Sequence, residues 1–440
     1  MSSMNRLRLA IMFTALMAAS GAGWAQTGRD VYLSTQRAES RLVEVAVPEF
    51  PFSGRDPEKL GSRASRIINY DLRFSGYFKP SENYDFMRQV SRGDLKAGRI
   101  DYDEWRSLAS NFLIKGSLSS AQEGKLSAEI RVYDLQTRKI FFAKRYLGSR
   151  ALFRQMIHQF SDDFLMRMTG EKGVARTKIA LVSRIAGHKE LMIMDYDGFN
   201  PRTITSDKSI VLFPHWNPSN KSIILFTTYR YRNPDLYAVN FKTKTRYPIS
   251  RRVGLNSTGE WSPDGSKVAF SLSRHGNSDI YTCDADGSDL KRLTYARSIE
   301  TSPTWSPDSQ NIAFTSDRSG SPQIYSMKIG ASGARRLTYK GSYNDGASWS
   351  PKDGQIAYTS LLGRKFDIAM LNIIDRSITR LTFGQGSNEY PSWSPNGKSL
   401  AFTSTRTGSR QVYTMNVRGS SQRQVTFLSG GGYLPSWGPD

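Results

Sequence analysis

WSPDGSKVAFSLSRHGNSDIYTCDADGSDLKRLTYARSIETSPTW, residues 261–305, begins and ends on tryptophan, and each tryptophan is followed by a proline-bearing turn. Tryptophans recur at 216, 261, 305, 349, 393 and 437, a 44-residue spacing broken once by 45. The turns read WNPSN, WSPDG, WSPDS, WSPKDG, WSPNG and WGPD. Proline presets φ at the first central position, Asp suits the second, and Gly or Asn suits the position after it. Seven residues after each of the first five tryptophans an apolar strand starts, as in IILF from Ile223, VAF from Val268 and LAF from Leu400. A further strand comes next, as DLY at 235, DIY at 279 and QVY at 411, and units close on a short piece such as RLT at 292, 336 and 380. Short β-rich strands separated by regular turn signals, grouped four to a unit, predict propeller blades. The 3.6-residue apolar period that a helical solenoid needs is missing from these segments. The repeated tryptophan is most simply a packing residue between neighbouring blades.

The strand count predicts how the ring closes. KIALVS from Lys178 has no tryptophan strand before it, yet ELMIMDYDG and RTIT after it complete a blade. GGYLPSWGPD, residues 431–440, is a tryptophan strand with no blade after it. Pairing the two gives six blades closed by the C-terminal strand, which is expected to leave no exposed sheet edge.

Ahead of the propeller the texture changes. RLVEVAVPEF reads as a strand, and PEKLGSRASRIINYDLRFSGYF as a helix with Pro57 placed at its start. DYDEWRSLAS reads as a second helix, NFLIKGSLSS as a strand, and KLSAEIRVYDL with KIFFAKRYLG as a hairpin. ALFRQMIHQFSDDFLMRMTG places Phe153, Ile157, Phe160, Phe164 and Met168 on one helical face ending at Gly170. His158 on that helix is expected at the surface or at a domain boundary. The expected organisation is a signal peptide over 1–25, an arm over 26–40, an α/β domain over 41–172 and an all-β six-bladed propeller over 176–440.

The first residues bear on compartment. Arg6 and Arg8 precede the apolar run Leu9–Ala19, and Gly23-Trp24-Ala25 suits cleavage after Ala25. The run is too short to span a bilayer with ease and does not recur, so an exported, periplasmic protein without a membrane span is expected, as a monomer. The net charge of +22 asks for an anionic partner or surface. Nucleic acid, membrane headgroups and acidic proteins qualify, and export disfavours the first. Residues 26–40 carry little core pattern apart from Val31, Tyr32 and Leu33, and such an arm suits strand addition to a partner.

Catalytic motifs are missing. The four histidines, His158, His188, His215 and His275, form no HExxH, and neither GxSxG, a phosphate loop nor Cys/His metal spacing occurs. Cys283 is the single cysteine and reads as a buried structural thiol. DADG at 284 and DYDG at 195 resemble fragments of calcium loops but fall where turns are expected anyway. No enzyme activity, cofactor or metal is expected. The alternative is a periplasmic hydrolase or glycan-binding module using the central channel.

In a four-stranded meander A to D, with A carrying the tryptophan, the A–B and C–D turns share one face. The B–C hairpins and D-to-A loops share the other, which varies more and is expected to bind. There Arg230, Arg274, Arg318 and Arg406 hold equivalent positions. Asn256, Glu300, Asn344 and Asn388 stand five residues before their tryptophans and are expected to ring the channel mouth, with Ser257, Thr301, Asp345 and Glu389 beside them. Together they predict a partly basic, partly polar funnel.

The order of domains, with TKIALVS, ELMIMDYDGFNPRTIT, WSPDGSKVAF and WSPDSQNIAFTSDRSGSPQIY, resembles the TolB family of periplasmic propellers of Tol-Pal systems over essentially the whole chain. The resemblance implies a non-enzymatic role in outer-membrane integrity and in envelope constriction at cell division. It implies a propeller face that binds the peptidoglycan-associated lipoprotein Pal and an N-terminus that binds TolA. It puts the Pal-facing loops just before Trp261 and Trp305, including Asn256, Thr301 and Ser302. Thr301 matches a threonine of the family, whereas Ser302 stands where an acidic residue is familiar, with Glu300 as its nearby substitute. The arm departs further, lacking the family's glycine-rich character.

Overall fold

The computed structural model describes residues 42–440 apart from Pro57, Gly98 and Asp353. The expected signal peptide and the arm with Val31, Tyr32 and Leu33 lie outside the described residues, as does Pro57. An α/β domain precedes an all-β six-bladed propeller, as the repeat arithmetic predicts.

The first domain is a mixed sheet between two helical layers. Its strands β1 (Val43–Ala46), β2 (Phe52–Ser53), β3 (Phe78–Pro80), β4 (Phe112–Ser120), β5 (Leu126–Asp134) and β6 (Lys139–Gly148) run in the order β3-β1-β4-β5-β6, with β2 also on β4. β1 pairs in parallel with β3 and β4, and the other neighbours on this path are antiparallel. Period-two alternation along β5 puts Leu126, Ala128, Ile130 and Val132 on one face. They pack there against helices α1 (Leu60–Ser75) and α4 (Phe153–Thr169). On α4 the residues Phe153, Ile157, Phe160, Phe164 and Met168 are all buried, and Gly170 ends the helix at φ 71°.

Two further helices, α2 (Tyr84–Ala97) and α3 (Tyr102–Arg106), cover the opposite face through Met87, Val90 and Trp105. The sequence pattern conceals α2, and Asp94 explains why. Asp94 is buried where an apolar residue would continue the helical period, accepting bonds from the Trp105 indole (2.8 Å), Lys115 Nζ (2.7 Å) and the Asp101 N–H (2.8 Å). A satisfied buried carboxylate interrupts the pattern without breaking the helix.

Each blade is one four-stranded antiparallel sheet. Blade 3 shows the pattern: A is Asn256–Trp261, B Lys267–Leu272, C Asp279–Asp284 and D Lys291–Arg292. The tryptophans sit between blades as expected. Trp305 packs with Ala269 and Ile280 of blade 3 beside Ile312 and Phe314 of its own blade, and its Nε1 donates to the Glu260 carbonyl at 3.2 Å. Cys283 is buried in blade 3, and burial pushes its thiol up to about 12.

Blade 1 is built from both ends of the propeller. Its A strand, Tyr433–Trp437, pairs antiparallel with B, Lys178–Ile185, in the register Tyr433↔Val182 and Trp437↔Ile179. C is His188–Asp195 and D is Arg202–Thr203. Gly438 donates to the Lys178 carbonyl at 2.7 Å, and a Cβ there would meet the Trp216 ring at 2.8 Å. Closure does not remove every edge, contrary to expectation. The D strands remain edges on the outer rim, cut to two residues in blades 1, 3, 4 and 6. Short edges offer little template for pairing with another chain.

The α/β domain rests on the A–B/C–D turn face, over blades 6 and 1. Phe74 of α1 meets Tyr196 edge-on at 5.1 Å and Trp437 at 6.2 Å, and Asn396 Nδ2 donates to the Lys172 carbonyl at 3.1 Å. His158 is 2% exposed and lies at this boundary, so it is not a surface residue. Its Nδ1 is 2.9 Å from Asp71, its Nε2 is 3.6 Å from Asp197, and Arg154 pairs with Asp197 as well. Burial pulls the imidazole pKa down, but Asp71 and Asp197 outweigh it and the net shift is upward. Asp197 and Asp195 belong to the DYDG stretch, where Asp195 pairs with Lys178.

Candidate functional site at the propeller axis

The six A strands line the axis, and each bends at the same place. Phe213, Thr258, Ser302, Gly346, Tyr390 and Leu434 all have positive φ, between 49° and 60°. The A–B register shifts across each of them, as between Ser257 and Glu260 in blade 3 or Glu389 and Ser392 in blade 6. Such a bulge turns the residue three before each tryptophan out of the ladder and toward the channel. Five of the six are not glycine, and each of those costs on the order of 1 kcal/mol in the left-handed region. Flanking bonds hold the kink: the Tyr390 N–H donates to Thr359 Oγ1 (2.9 Å) and the Leu434 N–H to Thr403 Oγ1 (3.0 Å).

The ring these residues form is lopsided. Phe213 and Tyr390 meet edge-on across the axis at 6.2 Å, with Leu434 between their blades, and wall one side with apolar bulk. Thr258, Ser302 and Gly346 of blades 3 to 5 leave the other side small and polar. The residue preceding each tryptophan forms a second ring toward the turn face. His215 Nδ1 accepts from the Trp261 N–H (3.4 Å), Glu260 Oε1 from Trp305 (3.0 Å), Thr304 Oγ1 from Trp349 (3.1 Å) and Ser392 Oγ from Trp437 (2.9 Å). These bonds stitch four of the six blade seams around the axis, and at the other two the Trp393 and Trp216 indoles donate to the carbonyls of Ser348 (2.9 Å) and Ser436 (3.0 Å). Burial raises the Glu260 carboxyl to about 7 against the bonds it accepts, and lowers His215 to about 4.

At the hairpin-face mouth the charges divide. Asp345 and Glu389 stand on blades 5 and 6, with Tyr343 and Tyr390 near both. Arg184, Lys189 and Arg410 gather around Tyr433 on blade 1 and the adjoining edge of blade 6. Burial raises the Glu389 pKa even with Arg410 nearby.

The structure corrects much of the expected funnel. Asn256, Glu300, Asn344 and Asn388 are 0% exposed and do not ring the mouth. They brace the D-to-A loops from inside. Asn256 Nδ2 donates to the carbonyls of Arg252 (2.7 Å) and Gly254 (2.9 Å), and Asn344 Nδ2 to Gln323 Oε1 and the Lys340 carbonyl (both 2.8 Å). Two of the arginines are tied to this frame: Arg318 pairs with Glu300, and Arg406 donates to Asn388 Oδ1 at 3.0 Å and to Gln422 Oε1 at 2.7 Å. Arg230 lies 3.6 Å from buried Asp207, and Arg274 is exposed. Ser257 is buried and accepts from Thr227 of blade 2 at 3.2 Å, while Thr301, Asp345 and Glu389 are half-buried. Ser302 is the one expected residue on the axis itself.

The five axis residues missed had a signal, since every one stands three positions before a repeat tryptophan. The bulge that aims them inward has no residue signature. Among the described residues no group of three or more His, Cys, Asp or Glu is placed to hold a metal ion, and no helix is long and apolar enough to cross a membrane.

Comparison with known proteins agrees with this architecture. The family profile described as the TolB β-propeller domain matches residues 165–374 and 362–440, and that of the TolB amino-terminal domain matches 31–141. The chain is 34% identical over 265 residues to the Tol-Pal system protein TolB of Anaeromyxobacter sp. strain K, covering 60% of this chain and 59% of the relative. It is 37% identical over 221 residues to that of Geobacter sulfurreducens, covering 50% of each. The chain thus spans about half the length of the curated relatives it matches. A crystal structure of TolB from Acinetobacter baumannii superposes with a TM-score of 0.78 at 26% identity, covering 92% of this chain and 98% of that one.

Proposed function

The chain belongs to the TolB family, and from that membership we propose that it is a non-enzymatic adaptor of a Tol-Pal system, working in the periplasm. The propeller takes its partner, the lipoprotein Pal, at the hairpin-face end of the channel. The arm at residues 26–40 engages TolA, and the two contacts serve outer-membrane integrity and envelope constriction during division. The observation that carries this reading is the lopsided axis. One wall of Phe213, Tyr390 and Leu434 offers apolar area, the facing wall of Thr258, Ser302 and Gly346 leaves room, and the mouth above presents acids and bases on neighbouring blades. An extended polypeptide with mixed side chains suits such a site better than a small uniform ligand.

Calorimetry with the purified exported chain and Pal tests it. Saturable one-to-one binding is expected, with loss of affinity in Ser302→Arg, which fills the open wall, and a smaller loss in Arg274→Glu. No binding by the unsubstituted chain overturns the Pal reading. Full binding by Ser302→Arg moves the site off the axis. Removing residues 26–40 is expected to abolish capture of TolA and leave the affinity for Pal intact.

A further inference from the structure

The 44-residue period carries one more side chain, which neither the blade cores nor the channel uses. Tyr295, Tyr339, Phe383 and Phe427 follow the D strands of blades 3 to 6 and are 72, 67, 65 and 80% exposed. Three of them rest on an arginine of their own D strand, with the guanidinium of Arg292, Arg336 and Arg380 at 4.7, 4.8 and 5.2 Å from the ring centroid. Those arginines are fixed in turn: Arg292 and Arg380 pair with buried Asp279 and Asp367, and Arg336 Nε donates to the Thr338 carbonyl at 2.6 Å. The rings therefore stand on rigid supports. Equivalent positions of successive blades lie at one height, so the rings form an arc around the rim of the hairpin face. Val253 and Ile299 on the neighbouring loops, 83 and 56% exposed, extend it. Among the described residues the opposite propeller face exposes only two large apolar side chains, Phe199 and Ile374, and Phe199 lies against Arg154.

The same face sorts its charges. Asp207, Asp235, Asp279, Glu300 and Asp367 are buried and face arginines of their own blades. Arg232, Arg274, Arg297, Lys340 and Arg364 are exposed on its loops, and Asp317, Asp345 and Glu389 are the half-buried acids that oppose them. The outward field is positive, in keeping with a chain charge of +22.

We propose that the hairpin face is a peripheral docking surface for an anionic phospholipid bilayer. Aromatic rings with an apolar body and a wet rim settle at headgroup depth. Each Lys or Arg near an anionic leaflet adds to the attraction, and several on one plane make association measurable without an inserted segment. Charge complementarity selects the bilayer over a second copy of the chain, whose equally basic face would repel this one.

Co-sedimentation of the exported chain with phosphatidylglycerol–phosphatidylcholine vesicles tests the proposal, with pure phosphatidylcholine as the comparison. Binding to the anionic vesicles alone is expected, weakening as salt rises. Combining Tyr295→Ser, Tyr339→Ser, Phe383→Ser and Phe427→Ser is expected to weaken it by roughly tenfold or more, whereas Ile374→Ser on the opposite face leaves it unchanged. Circular dichroism checks that the fourfold variant folds. Should it not, Arg297→Gln with Lys340→Gln and Arg364→Gln carries the test through a weaker, less salt-dependent binding. Absence of anionic binding, equal binding to both vesicles, or binding indifferent to the folded variants overturns the proposal. So does self-association that the fourfold variant abolishes while no vesicle is bound.

Discussion

Blade 1 and blade 4 share one plan and differ in how the chain reaches it. Blade 4 is contiguous, with A (Glu300–Trp305), B (Asn311–Ser316), C (Gln323–Lys328) and D (Arg335–Arg336) following one another through short turns. Blade 1 joins Tyr433–Trp437 to Lys178–Ile185, and it meets α1 through Trp437 and Tyr196 against Phe74. Loss of blade 4 packing is a local defect in a ring that still closes. Loss of the blade 1 pairing frees both ends of the ring at once, and the non-local pairing that forms it costs more loop entropy than any hairpin. The same cores thus carry different burdens.

The sharpest way to break this comparison is to delete residues 432–440. Trp437 alone is worth ~3–5 kcal/mol when truncated, and the Lys178–Ile185 strand loses its inner partner as well. The cooperative urea transition is expected to disappear, and a deleted chain that unfolds like the intact one contradicts the closure argument. Next come the single tryptophans. Trp305→Ala and Trp437→Ala each remove a buried indole and are expected to cost ~3–5 kcal/mol. Trp437→Ala is expected to fall at the upper end because Phe74 loses a neighbour too. Equal midpoints in urea would mean that the domain contact adds nothing to blade 1.

A smaller effect probes that contact directly. His158→Ala leaves Asp71 and Asp197 facing each other in a buried boundary and is expected to cost ~3 kcal/mol. Because the folded imidazole pKa is raised, its contribution is complete below the ordinary value of 6.5 and drains as pH rises past the folded one. The gap between the two proteins in thermal melting should therefore narrow toward alkaline pH, and a gap that widens there refutes the assignment. The smallest effect has the opposite sign. Glu260 titrates near 7 in the folded ring against 4.5 ordinarily, so the fold loses stability as pH rises between those values. Glu260→Gln keeps an oxygen for the Trp305 N–H. It is expected to stabilise by ~1–3 kcal/mol at pH 8 and by nothing below pH 4.5. Destabilisation at pH 8 would mean that the charged carboxylate is needed for blade stitching.

Much of the fold was legible because a repeat reports itself many times. One tryptophan followed by a turn is weak, but six at one spacing fix strand order, blade number and the need for closure. The α/β domain has no such redundancy, and a single buried Asp94 concealed a whole helix. The binding site was read less well for a related reason. Asn256, Glu300, Asn344 and Asn388 are polar, periodic and close to the axis in sequence, which fits a lining residue and an internal brace equally. Whether a polar side chain faces water or a carbonyl depends on the path of the next loop, and no periodicity encodes it. His158 shows the same limit, since its two acidic neighbours come from α1 and from a turn of blade 1.

The sequence by itself determined the six-bladed ring, the strand that closes it and the tryptophan packing between blades, because each follows from spacing and from the turn chemistry of Pro, Asp and Gly. Tertiary structure alone decided which residues look into the channel, through a left-handed kink that five different non-glycine side chains adopt in response to their neighbours. It also decided which charges are spent internally and which remain outside. The arginines at Arg318 and Arg406 look identical in sequence to Arg274, yet buried partners neutralise or bind the first two and leave the third to solvent. Burial makes that difference, since an acid or amide taken out of water must find a donor and takes the nearest arginine with it.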